Sequence, residues 1–419
     1  MNSKAPAARA KPVHAPQTGF PVLDNIVQIS ATPVTELAER AGGRAFYAYD
    51  GALMTKRATD LRDALPDGIE LHYAIKANPM PEVVRHMAQL TDGLDVASAR
   101  ELAIALDTGV APGDISFAGP GKSDEDLRAA VDAGVIIILE SATELRRVAA
   151  LADRAGAPPT VAMRVNPDFE LKASGMKMGG GPKPFGVDAE QVPALMAEAA
   201  TLPVDLVGLH IFSGSQNLRA EALIEAHDKT VDLALRLAEA APRPFRWLNI
   251  GGGLGVPYFP GEQRLDLAPV MANLAQRLTD LRARLPRAAV VMELGRYLVA
   301  EAGVYVARVT DKKLSRGHTF LVTNGGLHHH LALSGNFGQV IRKNYPVCIG
   351  NRVESDESEN VTIVGPLCTP LDLLAERMDL PRADIGDLVV VFVSGAYGFS
   401  ASPRGFLSHP EPLEFFLAG

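Results

Sequence analysis

The chain has 419 residues, a formal net charge of -8 and a pI near 5.7. That length exceeds one small core and suits two domains, and the acidic balance argues against a nucleic-acid or anionic-membrane partner. Cys348 and Cys368 are the only cysteines, so no disulfide framework is readable and a reducing, cytoplasmic setting is expected.

No apolar stretch reaches the length of a membrane span. Met1 to Gln17 is rich in Ala, Pro and Lys without a hydrophobic core region, which reads as a loose tail over residues 1–20 and not a signal peptide. Residues 21–49 hold short extended pieces, among them Ala45-Phe46-Tyr47-Ala48-Tyr49, expected to join a β domain formed later in the chain. From Glu70 to Glu293 short apolar runs at 70–75, 93–97, 114–117, 135–139, 161–165, 206–211, 246–250 and 289–293 alternate with amphipathic segments. The helical segments are Pro81–Leu90, Ala99–Thr108, Asp124–Ala133, Ala142–Ala155, Ala189–Ala200, Ala220–Ala240 and Leu267–Leu285. Such βα repeats predict a closed (β/α)8 barrel over about 50–300. An open doubly wound sheet would want a glycine fingerprint after its first strand, and none follows Ile75. Beyond Arg296 the pieces 303–309, 318–323, 361–365 and 388–394 are β-rich without a helix in every gap. They predict an antiparallel β-barrel or sandwich over 301–419. The run Glu354-Ser355-Asp356-Glu357-Ser358-Glu359 reads as a solvated loop.

Lys76, in Tyr73-Ala74-Ile75-Lys76-Ala77-Asn78, ends the first strand, where a parallel barrel keeps its chemistry. Lost hydration would lower its pKa and make the amine a Schiff-base nucleophile; taken alone, a strand-end lysine snorkelling to solvent is the simpler alternative. Gly251, Gly252 and Gly253 follow the seventh strand, where backbone N–H groups can close around a phosphate, or where a plain tight turn can form. Glu293-Leu294-Gly295-Arg296 ends the eighth strand. Its acid could keep a pyridinium nitrogen protonated, or could pair with Arg296 structurally. On the sixth strand His210 and Phe212 share a face and could pack against a flat ring or simply against the core. Ser215 could donate to a phosphate. Cys368 lies in a loop of the β domain, where a thiol is more often an inert small hydrophobe than a catalyst, and Tyr397 sits among glycines.

In this order and spacing the motifs resemble the fold-type III pyridoxal-phosphate decarboxylases, the group of ornithine/arginine and diaminopimelate decarboxylases. The resemblance runs from about Phe46 to near the C-terminus. It implies an alanine-racemase-like architecture and pyridoxal 5'-phosphate carried on Lys76 as a Schiff base. It places Glu293 opposite the ring nitrogen and Asp95 at a further cofactor position. Ser215, Gly251, Gly252, Gly253, Arg296 with its neighbour Gly295, and Tyr397 fall at phosphate-contacting positions. Cys368 matches the proton donor that a partner subunit inserts in a head-to-tail homodimer, and no metal is implied.

The departures bear on the substrate. Leu294 replaces the family's proline in Glu-Pro-Gly-Arg, and Phe212 replaces the ring-stacking histidine, a role His210 can share. Thr369 replaces the acid that holds a distal ammonium in relatives, with Asp372 three residues on as a possible substitute; Thr369, Asp372 and Tyr397 are thus the candidate substrate contacts. The arginine–tyrosine pair that reads the distal carboxylate of diaminopimelate is absent from Gly325-Gly326-Leu327-His328-His329-His330-Leu331-Ala332. Leu171 to Val187 and Gly335 to Pro346 resemble a branch that includes exosortase-system-associated and carrier-protein glutamyl decarboxylases. Lys177, Lys183, Arg342 and Lys343 could meet a carboxylate or a carrier's phosphopantetheine arm, or be solvated charges. The expectation is an α-decarboxylase releasing carbon dioxide from an amino acid or an aminoacyl carrier protein, on a substrate without a distal ammonium. Diaminopimelate, ornithine or lysine are the alternative substrates, and a non-catalytic cofactor-binding relative is the alternative class. A racemase would prefer an arginine where Glu293 stands.

Overall fold

A computed structural model describes residues 12–152, 156–169, 176–177, 179–335 and 342–419. Residues 1–11, much of Leu171 to Val187 with the side chain of Lys177, and part of Gly335 to Pro346 lie outside the described residues.

Eight parallel strands close into a barrel: Ile69–Ala74, Gly93–Val96, Ile115–Phe117, Ile136–Leu139, Thr160–Asn166, Asp205–Ile211, Trp247–Asn249 and Ala289–Leu294. The first pairs with the eighth and the fourth with the fifth, so the ring has no open edge. The expected (β/α)8 architecture is therefore present, with each strand within a residue or two of its expected place. Local chemistry explains the register of the helices. Ser98, Ser123 and Ser141 follow barrel strands and accept from the N–H three residues on, capping the helices Ala99–Leu106, Asp124–Ala133 and Ala142–Ala149. Gly134, in the left-handed region at φ 74°, ends the second of these and turns the chain into the fourth strand.

The second domain is a sheet built around one long strand, Gly303–Ser315. It pairs antiparallel with Phe46–Asp50, His318–Thr323 and Leu388–Val391. Two neighbouring pairs are parallel, His318–Thr323 with Ser358–Val364 and Phe46–Asp50 with Leu413–Leu417. The sheet is thus mixed, not antiparallel as expected, because two crossovers return the chain in the direction of the strand beside it. Of residues 21–49 only the last pairs into this sheet; Val22–Leu23, Ile26–Ile29 and Thr32–Pro33 form a small sheet of their own. Residues 12–20, expected to be loose, dock on the body: Val13 accepts from the Gly261 N–H at 2.8 Å, and buried Phe20 packs on Phe392 at 5.6 Å.

Gly208 shows how tightly the barrel is drawn. A Cβ there would collide with the carbonyl of Trp247 on the neighbouring strand, beside a bulge between Leu206 and Gly208. Gly208→Ala is expected to cost about 3 kcal/mol in chemical denaturation. A variant within about 0.5 kcal/mol of the parent would show that the strands can spread.

Candidate active site

Lys76 lies one step past the first barrel strand, in a 3-10 turn over Ile75–Ala77. Three hydrogen bonds fix that turn. Tyr73 Oη donates to the Asn78 carbonyl at 3.0 Å, Asn78 Nδ2 donates to the Gly395 carbonyl at 3.0 Å, and the Tyr397 N–H donates to the Ala77 carbonyl at 2.8 Å. The last two come from the β domain, so the Gly395–Tyr397 loop is tied directly to the lysine. Tyr397 holds a positive φ of 61°, a conformation that a bulky residue keeps only where its surroundings enforce it.

Barrel closure sets Glu293 against this turn. Lys76 Nζ donates to Glu293 Oε1 at 3.0 Å, and His210 Nε2 stands 3.3 Å from Glu293 Oε2. Glu293 and His210 are both buried, whereas Lys76 is half exposed. The expected fall in the Lys76 pKa is overturned. The attraction of Glu293 outweighs desolvation and raises the ammonium pKa well above its ordinary value, with Tyr397 and Asp95 adding to the effect. Glu293 is held far below the usual carboxylate range: burial opposes ionisation, and Lys76 and His210 override it. The signs place the ion pair across the whole neutral range. It is lost only as pH falls through the depressed Glu293 pKa or rises through the elevated Lys76 pKa.

One pocket collects Lys76, Phe212, Ser215, Gly253, Glu293, Gly295, Arg296 and Tyr397 from distant parts of the chain. Phe212 presents its ring 5.9 Å from Lys76 Nζ, and the His210 ring lies 6.3 Å from it. Gly251 and Gly253 hold φ of 72° and 83°, and a Cβ on Gly252 would collide with the Glu293 carbonyl. The turn therefore needs glycine and presents bare backbone to the pocket. Behind it, burial pushes the pKa of His227 down to about 4, so its imidazole is neutral. Asp95 is buried and accepts from Ser116 Oγ, with His72 Nδ1 3.9 Å away; it acts on Lys76 through its field. Arg296 donates from Nη1 to Tyr258 Oη at 3.0 Å, with the Tyr397 ring 4.8 Å from the guanidinium.

Other expected residues stand apart. Cys368 is exposed in a loop of the β domain, outside the Lys76 pocket, and Thr369 lies beside it. Asp372 is turned inward. It is 3% exposed, its Oδ1 accepts from the Leu327 N–H at 2.6 Å, and its Oδ2 accepts from the Leu367 N–H at 2.8 Å. Sequence reasoning missed Tyr258 and the buried charges around the mouth. Arg164 donates to Glu140 at 3.0 Å, Glu140 also accepts from the Gly119 and Gly186 N–H groups, and Lys122 pairs with Glu144 at 3.0 Å. Glu140 directly follows the fourth strand and Arg164 lies near the end of the fifth, a signal available in the sequence.

The donor set fits pyridoxal phosphate. A buried carboxylate faces a lysine, a glycine turn too tight for any Cβ adjoins an arginine, and the ring nitrogens of His210 make no hydrogen bond among the described residues. The sequence profile of "Pyridoxal-dependent decarboxylase, pyridoxal binding domain" matches residues 52–300. The chain belongs to the pyridoxal-dependent decarboxylases. It is 38% identical to the L-glutamyl-[BtrI acyl-carrier protein] decarboxylase of Niallia circulans over 93% of this chain and 91% of that one. To the diaminopimelate decarboxylase of Aquifex aeolicus it is 32% identical over 90% and 88%. Among solved structures, the diaminopimelate decarboxylase of Helicobacter pylori complexed with L-lysine superposes with a TM-score of 0.80 at 26% identity, covering 91% of this chain and 94% of that one. The protein is thus a pyridoxal-phosphate-dependent carboxy-lyase, and no helix among its described residues is long and apolar enough to cross a membrane.

Glu293→Gln removes the charge that raises Lys76. In the cofactor-free decarboxylase the Lys76 pKa, followed by NMR of the dimethylated amine, is expected to drop to or below the ordinary lysine value. An unchanged value would mean that another group governs it.

Proposed function

We propose that this decarboxylase acts on a glutamyl group carried as a thioester on a carrier protein. The observation that carries the reading is the loop after Leu367: Asp372 is turned inward with both oxygens accepting from backbone N–H groups, and Thr369, where the family resemblance implies an acid, offers only a hydroxyl. An ammonium brought there would stay unpaired, at several kcal/mol if buried. The opposite charge finds no partner at the histidine run either. Burial pushes His328 and His330 down to about 3 and His329 to about 4, so all three are neutral at working pH and attract no distal carboxylate. A thioester is uncharged and needs neither. Since α-decarboxylation consumes the α-carboxylate, the tether must use the side-chain carboxyl, leaving a 4-aminobutyryl thioester. The similarity to the Niallia circulans enzyme supports the same substrate.

Bound pyridoxal phosphate supplies the electron sink that accepts the pair left when carbon dioxide departs. Lys76, one step past the first strand, would hold the cofactor through its amine. Glu293, ionised and with His210 3.3 Å away, would keep a proton on the ring nitrogen. The N–H groups of Gly251 to Gly253, with Ser215, Arg296 and Tyr397, would hold the phosphate, and Phe212 would offer the ring a face. Cys368 delivers a proton to the α-carbon from a second subunit of a homodimer. A dimer contact at that face is supported by Leu371, Phe406 and Leu407, which are 57%, 45% and 49% exposed. Their loops are neighbours, since Asp372 binds the Leu327 N–H and the His409 ring lies 5.3 Å from His328. The two unpaired cysteines fit a reducing, cytoplasmic compartment.

Carbon dioxide release should be fastest from the γ-glutamyl carrier thioester and poor from free ornithine, lysine and diaminopimelate. An inert thioester, beside a kcat/KM of order 10⁴ M⁻¹s⁻¹ on free diaminopimelate, would refute the assignment. A second measurement addresses the shared site. Lys76→Ala protein mixed with Cys368→Ala protein is expected to regain part of the lost activity, because one hybrid site is intact. Absence of recovery while subunits demonstrably exchange would place the proton donor elsewhere.

A further inference from the structure

Arg296 begins the short helix Arg296–Val299 after the eighth barrel strand. Among the described residues it pairs with no carboxylate. Its partners are aromatic: Tyr258 Oη accepts from Nη1 at 3.0 Å, the Tyr258 ring centroid is 5.4 Å from the guanidinium, and the Tyr397 centroid is 4.8 Å away. Tyr258 is itself immobilised. It is 3% exposed, its ring packs on Tyr345 at 4.9 Å, and its N–H donates to Glu262 at 2.9 Å. The neighbouring Gly261 N–H is bonded to Val13 at 2.8 Å, so the docked N-terminal segment closes the loop from outside.

Charge decides what such a partner is for. A carboxylate would aim a guanidinium equally well, but it would also neutralise it at short range. A phenol aims it and leaves the positive charge whole. Burial raises the Tyr258 pKa even though Arg296 opposes the shift, so the phenol stays neutral at working pH. The result is an arginine with fixed direction and uncancelled charge beside a glycine turn.

We propose that Tyr258 is a positioning residue: through its hydrogen bond it holds the Arg296 guanidinium toward the cofactor's phosphate and so sets cofactor affinity. This rests on the reading of Arg296 as a phosphate contact, and the experiment separates the two. Pyridoxal phosphate dissociation constants are measured by absorbance titration of the stripped full-length protein as wild type, Tyr258→Phe, Arg296→Ala and the double variant. Losing one hydrogen bond to a charged group predicts about tenfold weaker binding for Tyr258→Phe. Arg296→Ala is expected to bind more weakly still, and the double variant no more weakly than Arg296→Ala alone. The ³¹P resonance of the bound phosphate should move in Tyr258→Phe while the melting temperature of the stripped protein does not, a combination that a packing role would not give. If Arg296→Ala weakens binding but Tyr258→Phe does not, or if the Tyr258→Phe effect survives in the Arg296→Ala background, Tyr258 does not act through Arg296. If Arg296→Ala binds like wild type, the phosphate reading of Arg296 fails first.

Discussion

Closure of the barrel between its first and eighth strands is the constraint on which the site depends. Glu293 pairs in register with His72, and Leu294 with Tyr73, and that pairing brings a lysine and a glutamate separated by 217 positions to 3.0 Å. Neither group makes sense alone. A buried carboxylate without a cation would be protonated, and a lysine at the strand end without an anion would seek water. Because the ring is closed, the strands cannot slide to relieve the pair, so the geometry is set by the whole sheet and not by two flexible side chains.

The second domain completes the lysine's surroundings. The carbonyl of Gly395 and the N–H of Tyr397 bond the turn that carries Lys76. A Cβ on Gly395 would collide with the Val299 carbonyl, so the loop reaches the barrel only because that residue is glycine. The strand Phe46–Asp50 passes directly from the β sheet into the helix Gly51–Ala64, with Asp50 capping it by accepting from the Leu53 N–H at 3.0 Å. The two domains therefore share a covalent joint at Asp50 and hydrogen-bonded joints at the Lys76 turn, where relative motion would be most damaging.

Much of this was legible in the sequence, for identifiable reasons. Fully buried parallel strands read as apolar runs, as Ile136–Leu139 does, so the barrel's repeats stood out. The strands Leu373–Pro381 and Leu413–Leu417 did not, since the first mixes Glu, Arg and Asp with apolar residues and lies partly in solvent, and the second lies beside a strand from the far end of the chain. Motif spacing brought out Lys76, the glycine turn, Glu293 and Arg296. It could not give the sign of the Lys76 shift, which depends on a distance across the barrel. Nor could it show that Asp372 faces inward, because the N–H groups it satisfies belong to Leu327 and Leu367, on two different loops. Tyr258 was hidden for a related reason: an aromatic residue after a glycine run reads as core until its hydroxyl is seen on an arginine.

The electrostatics of the pocket form one argument. Glu293 is balanced by Lys76 and approached by His210, so this end of the pocket carries no excess charge. Arg296, with Tyr258 and Tyr397 beside it, keeps its positive charge next to the glycine turn. At the histidine run burial keeps His328, His329 and His330 neutral, and in the loop beyond it the one buried acid is spent on backbone N–H groups. The buried Asp372 carboxylate is thus no free counter-charge for an ammonium brought to that loop. The Glu293 and Lys76 pKa values move outward and those of the three histidines move down to about 3 to 4, so this pattern does not change through neutral pH. An uncharged far end, as the proposed thioester arm has, would meet these neutral histidines and the inward Asp372 without a desolvated charge of its own.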